Sequence, residues 1–313
     1  MVKTTALHFE KYLKQMIRMN PATILRAIVI AITFALTAPA ATVEIMVDAT
    51  KFTIPVPEGF SEVTSDMNPY ADIMSHFVSP ENKRLAFFIP DEFIDAVKDG
   101  ATPDVMRRIN VEIIRDMSGK IVTKSDFQEF KKILENENGK ILEAIESKLP
   151  DMMKKINGDL FEDYNADVSF DVSGISMLPI HHDTERSIAY SIIANAIIDD
   201  GSENNEFERI VATCTFVHLK GKLLCLYVYA EKEGIEWSRA TSKNWVDLII
   251  AQNPSTDEEL RLENQSRFRF DFVKPLKSAI IGAIAGGITA FVYGLWKRRK
   301  KTVQTPPDTT HLK

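Results

Sequence analysis

RIVATCTFVHLKGKLLCLYVYA, residues 209–230, is the stretch on which the fold turns. Two runs rich in β-branched and aromatic residues, 209–219 and 222–230, flank the dipeptide Lys220-Gly221. Strand-forming runs joined by two residues that include glycine predict an antiparallel hairpin. A two-residue turn pairs residue 214 with 227, leaving Cys225 diagonal to Cys214 on the same face; a three-residue turn with a bulge puts the two cysteines on opposite faces. These are the only two cysteines in the chain. An exported location permits a disulfide, but the expectation is a pair of buried free thiols.

Upstream, DVSFDVSGISML (167–178) and RSIAYSIIANAII (186–198) read as two more strands of the same meander, with DDGSENNEFE (199–208) as a connecting loop. Downstream, EWSRATSKNWVDLIIAQN (236–253) reads as a helix carrying Trp245, Leu248 and Ile249 on one face and closed by Pro254. Nearer the start, KFTIPVP (51–57) is a strand, and IMSHFVSPENKRLAFFIP (73–90) reads as a hairpin turning at Pro80-Glu81-Asn82-Lys83. RRINVEII (107–114) is read as a strand for its β-branched content. Ser125 and Gln128 have capping-box spacing at the start of a long helical stretch. Its apolar stripe is Phe127, Phe130, Leu134, Ile141, Ile145 and Leu149, with a local break at Gly139 and an end or kink at Pro150. Antiparallel strands with inserted and appended helices predict an α+β domain over 41–252.

The strand FTIPVPEGF (52–60), the helix opened by KSDFQEF (124–130) and the closing GKLLCLYVYAEKEGIEW (221–237) followed by a helix resemble the PsbP-like domains, which include envelope proteins of the DcrB type. The resemblance covers most of 50–252. It implies an αβα sandwich around an antiparallel sheet, no catalytic residue, and a role in binding or assembly.

The two ends fall outside that resemblance. Ser278 to Trp296 is a run of 19 residues without a charge. At about 1.5 Å per residue, a helix of that length just spans a hydrocarbon core of about 30 Å. Tyr293 and Trp296 sit where interfacial aromatics belong, and Lys297, Arg298, Arg299, Lys300 and Lys301 form a positive flank that marks the cytoplasmic side. Gly282, Gly286, Ala290 and Gly294 recur every fourth residue. Such a stripe predicts close packing against a second copy or a partner's membrane helix, with Ile280, Ile281, Ile284, Phe291 and Leu295 turned to lipid. At the other end, Arg26 precedes an apolar stretch of 12 residues, AIVIAITFALTA, and an Ala38-x-Ala40 site. That arrangement predicts a signal peptide over 1–40, cleaved before Ala41, with Met19 as an alternative start. Residues 253–277 are then a stalk and 297–313 a cytoplasmic tail. SRFRFDF (266–272), just before the span, is either an edge strand or an interfacial segment.

Charge divides along the chain: 1–40 carry +4, 41–277 carry −15 and 278–313 carry +5, for a net −6. An acidic body repels phosphate backbones, so nucleic acid is not an expected partner. The sequence contains no Gly-x-Ser-x-Gly, His-Glu-x-x-His, phosphate-binding loop or Gly-x-Gly-x-x-Gly. His181-His182-Asp183 is the most metal-like cluster, but no second ligand pair lies at typical spacing, so a polar connection is expected. Asp199, Asp200, Glu203 and Glu206 lack the ligand order of a calcium loop and read as a solvated hairpin. No cofactor, metal or catalytic residue is assigned. The expectation is a single-span inner-membrane protein that presents a binding or assembly module to the periplasm or exterior; the alternative is a hydrolase-like envelope enzyme.

Overall fold

Of the two registers open to the hairpin, the two-residue turn forms. In the computed structural model, which describes residues 41–136, 138–164, 169–199, 206–264, 277 and 279–284, Leu219 pairs with Lys222 and Cys214 with Tyr227. Lys220 and Gly221 take positive φ values of 50° and 70°. That conformation closes a two-residue turn with the twist of the flanking strands, and glycine adopts it without steric cost. The expected signal peptide, SRFRFDF and the basic residues 297–301 lie outside the described residues.

In chain order the first elements are strands β1 (Thr42–Val47), β2 (Thr50–Pro55) and β3 (Phe60–Glu62), helix α1 (Tyr70–Ser75), β4 (Asn82–Pro90), α2 (Asp91–Lys98) and β5 (Arg108–Ile114). A helical insertion follows: α3 (Arg115–Ser118), α4 (Lys124–Asn136), α5 (Asn138–Glu146) and α6 (Leu149–Tyr164). Then come β6 (Ser169–Met177), β7 (His182–Asp183), β8 (Ser187–Asp199), β9 (Glu206–Leu219), β10 (Lys222–Glu231), α7 (Ile235–Gln252) and α8 (Asp257–Asn264). A further helical stretch occupies 279–284. These elements all belong to one compact unit, Thr42–Lys313.

The main sheet runs β3-β4-β5-β10-β9-β8-β6, with β7 also paired to β8 and every pairing antiparallel. Strand alternation gives it two buried faces. On one, Val111, Leu224, Leu226 and Val228 meet Trp245, Val246 and Ile249 of α7, together with Phe52 and Ile54 of the separate β1–β2 hairpin. On the other, Tyr190, Phe216 and Leu223 lie under Phe127, Phe130, Leu134, Ile141, Ile145 and Leu149 of α4–α6. Phe130 meets Phe216 edge-on at 4.7 Å. Helices thus cover both faces of an antiparallel sheet, the layer order that the resemblance implies.

Buried hydroxyls fasten α7 to the sheet: Thr213 Oγ1 lies 2.8 Å from Ser238 Oγ, and Thr215 Oγ1 2.5 Å from Ser242 Oγ. The same helix holds the small hairpin. Trp245 Nε1 donates to Pro55 O at 2.7 Å, and Asn253 both accepts from Thr53 N at 2.8 Å and donates to Thr53 O at 2.7 Å.

Five local expectations are corrected. Residues 70–75 are helix, not the first arm of a hairpin, because Tyr70, Ile73, Met74 and Phe77 follow helical spacing and all are buried. The capping box at α4 is Thr123 with Asp126, two residues ahead of Ser125 and Gln128. Thr123 Oγ1 accepts from Asp126 N at 3.1 Å, and Asp126 Oδ2 accepts from Thr123 N at 2.8 Å. Pro150 opens a helix instead of ending one; it is the second residue of α6, where its missing N–H costs no intrahelical bond. Leu248 is 51% exposed, because the inward stripe of α7 is Ser238, Ser242, Trp245 and Ile249 with Val246 beside it.

The fifth correction concerns the apolar run at the C-terminal end. Ile280, Ile281 and Ile284 do not face lipid; they are buried in the same apolar cluster as residues of α4–α6. Among the described residues no helix is long and apolar enough to cross a membrane. The rest of the expected span, 278 and 285–296, lies outside them.

Candidate binding groove

Strand β5 carries the site. Its alternation sends Ile109, Val111 and Ile113 to the α7 face, and Arg108, Asn110 and Glu112 to the opposite face. All three polar residues are buried, at 2%, 1% and 1% exposure. Pairing extends the polar row sideways: Arg84 of β4 stands opposite Glu112, which stands opposite Cys225 of β10. In the next rows Asn110 pairs with Tyr227 and Arg108 with Tyr229.

Glu112 is the centre. Asn82 Nδ2 donates to its Oε2 at 3.0 Å, and Asn110 Nδ2 to its Oε1 at 3.1 Å. Burial raises the carboxyl above its ordinary value, against the opposing pull of Arg84 and the two amides. Burial also holds Arg108 down to about 10, while its guanidinium lies 4.5 Å over the Tyr229 ring and its Nη1 donates to Val105 O at 3.2 Å. Arg84 packs 4.8 Å over Phe87. Four buried atoms in the row have no hydrogen-bond partner among the described residues: Asn82 Oδ1, Arg84 Nε, Asn110 Oδ1 and Tyr229 Oη.

The stretch 279–284 closes the row. Tyr227 Oη donates to Ala279 O at 2.8 Å. Gly282 sits directly on the Asn82–Glu112 pair, where a Cβ would fall 2.3 Å from Asn82 Nδ2 and 3.5 Å from Glu112 Oε2. A side chain at 282 would have to push the Asn82 amide off Glu112. The first residue of the small-residue stripe therefore meets the sheet of its own domain; Gly286, Ala290, Gly294 and the flank Lys297, Arg298, Arg299, Lys300 and Lys301 lie outside the described residues.

Burial pushes the Cys214 and Cys225 thiols and the Tyr190, Tyr227 and Tyr229 phenols above their ordinary values. They are protonated near neutral pH, and a thiol is a weak nucleophile in that form. Both cysteines are free and buried.

The histidine cluster does not converge. His182 Nε2 lies 3.0 Å from Ser187 Oγ, while Asp183 pairs with Lys131 of α4. His181 is pushed down to about 4 by burial, with Arg239 and His182 adding to the effect, so it stays neutral at pH 7. The described residues hold no group of three or more His, Cys, Asp and Glu placed to bind a metal ion. Asp199 and Glu206 fall at the facing ends of β8 and β9, and Asp200 and Glu203 lie outside the described residues. A half-open cavity of about 310 Å³ lies between Leu149–Pro150 and the β6 bulge at Gly174; its acidic groups, Glu146 and Asp171, are both exposed.

Nothing in the sequence singled out the groove. RRINVEII was legible as a strand, but an Arg-Asn-Glu alternation ordinarily marks the wet face of a sheet. Glu112 is covered by Gly282, far away in sequence, whereas Arg108 is enclosed by Val105 and Tyr229.

Fold and groove together define an α+β protein with one main antiparallel sheet, helices on both faces, and a buried polar row under an apolar helical stretch. No protein-family model matches the chain, and no curated protein matches it. A similar solved structure is the solution structure of cyanobacterial PsbP (CyanoP) from Synechocystis sp. PCC 6803, at 11% identity, over 70% of this chain and 95% of that one, with a TM-score of 0.25. A likeness at that score carries no argument about this chain.

Proposed function

We propose that the protein is a membrane-tethered binding module: an α+β domain of the PsbP-like kind held outside the cytoplasm by the apolar run 278–296 and its basic flank. The observation that carries the binding half is the groove over β4, β5 and β10. It takes an apolar helix in close contact through a glycine, while its own thiols and phenols stay protonated. The tether is supported by the run of 19 uncharged residues followed by five consecutive basic ones. Membrane lipid is thus one partner. A second copy, or another protein's membrane helix, is the partner suggested by the stripe Gly282, Gly286, Ala290 and Gly294. The enzyme alternative draws less support, because burial holds the thiols and phenols beside the row in their protonated forms.

Protease protection on sealed inner-membrane vesicles tests the arrangement. Protease on the face outside the cytoplasm is expected to digest 41–277 and to spare a tag placed after Lys313. A digested tag beside an intact domain reverses the orientation, and release of the protein by alkaline carbonate removes the tether.

A further inference from the structure

The run 278–296 has two claims on it that cannot both be met. Residues 279–284 are buried in the domain, bonded to Tyr227 and seated on Asn82 and Glu112. With those six residues in the groove, the uncharged remainder, 285–296, has 12 residues. A helix of that length rises about 18 Å, well short of a hydrocarbon core of about 30 Å. A seated groove and a complete span are therefore alternatives.

The groove is also an imperfect seat. Ile280, Ile281 and Ile284 gain apolar contact there, while Asn82 Oδ1, Arg84 Nε, Asn110 Oδ1 and Tyr229 Oη are buried without a hydrogen-bond partner among the described residues. Burying a polar group without a partner is unfavourable, and water would satisfy all four. A bilayer accepts the same isoleucines with no such penalty. We propose that residues 279–284 are a removable lid on the polar face of β4, β5 and β10, seated in the groove until a membrane takes up 278–296 and opens the row. The inference rests on the tether reading above, since without membrane insertion nothing withdraws the lid.

Cys225 reports the opening. It stands opposite Glu112, the residue under Gly282, and two places from Tyr227, which holds Ala279. The experiment is cell-free synthesis of the full chain with and without phosphatidylcholine–phosphatidylglycerol vesicles. It reads two quantities: carbonate-resistant flotation, and native-state maleimide labelling of Cys225 resolved by peptide mass. Without vesicles, Cys225 is expected to label only after denaturation; in the floated fraction it is expected to label on the order of tenfold faster or more, as exposed thiols do relative to buried ones. Gly282→Leu cannot seat and is expected to label without vesicles while keeping the wild-type circular dichroism spectrum. Gly287→Leu adds the same apolar bulk outside 279–284 and is expected to stay protected. A floated chain whose Cys225 is as protected as before overturns the lid and leaves the tether standing. A natively folded Gly282→Leu that stays protected overturns the lid as well. A chain that does not float overturns the tether first, and the lid with it.

Discussion

Glu112 is a carboxyl whose surroundings favour its proton. Burial raises it above its ordinary 4.5, so the folded chain binds that proton more tightly than the unfolded chain does. The stability it contributes is complete below 4.5 and is lost as pH rises from there through the folded value. Glutamine removes the titration and has partners ready: rotating either Asn82 or Asn110 turns an unpaired Oδ1 toward the new amide. Glu112→Gln is therefore expected to gain urea resistance over wild type as pH rises above 4.5, with little difference at the acid end. Midpoints of the full chain in nonionic detergent measure it; a difference independent of pH would count against a buried, titrating Glu112. His181 has the opposite sign. Its imidazole is held down to about 4, so the stability tied to it is present above the ordinary 6.5 and falls away as pH drops toward 4. His181→Phe is expected to flatten that acid limb in the same titration.

At the scale of elements, two corrections turn into paired substitutions. Thr123 caps α4 and Ser125 does not, so Thr123→Ala is expected to cost about 1 kcal/mol and Ser125→Ala close to nothing. Equal effects would return the cap to Ser125. On α7, Ile249 is fully buried whereas Leu248 is 51% exposed. Ile249→Ala is expected to cost about 2–5 kcal/mol, and Leu248→Ala within about 0.5 kcal/mol. Chemical denaturation of each variant separates the two. The serines explain why the face was hard to read. Ser238 and Ser242 look like solvent residues, yet they fill the inward stripe because Thr213 and Thr215 bond them. Small hydroxyls let the helix approach the sheet closely and satisfy one another there.

For the whole molecule, the hairpin register sets the state of the thiols. Cys214 pairs with Tyr227, so Cys225 lies diagonal on the same face and both thiols are free within a closed core. Denaturation without reductant is expected to expose both cysteines to a maleimide in the vesicle-free protein, with no further labelling once reductant is added. Labelling that waits for reductant would establish a disulfide. The acidic body and the basic ends bear on the molecule as a unit: with −15 over 41–277 and +5 over 278–313, the domain is repelled by anionic lipid while the tail is drawn to it.

What the sequence determined by itself is everything carried by local chemistry. Lys220-Gly221 closes a two-residue turn because of backbone conformation. Period-two runs form strands, and the stripe from Phe127 to Leu149 buries one helical side because 3.6 residues make a turn. The tertiary structure decided what depends on neighbours remote in the chain. Residues 70–75 became helix to bury Tyr70, Ile73 and Met74. Glu112, in an Arg-Asn-Glu alternation of the kind that ordinarily marks a wet face, is buried under Gly282, 170 positions further on, which has no side chain to keep it away. Burial is a property of pairs of surfaces, and one strand's pattern shows only its own side of the pair.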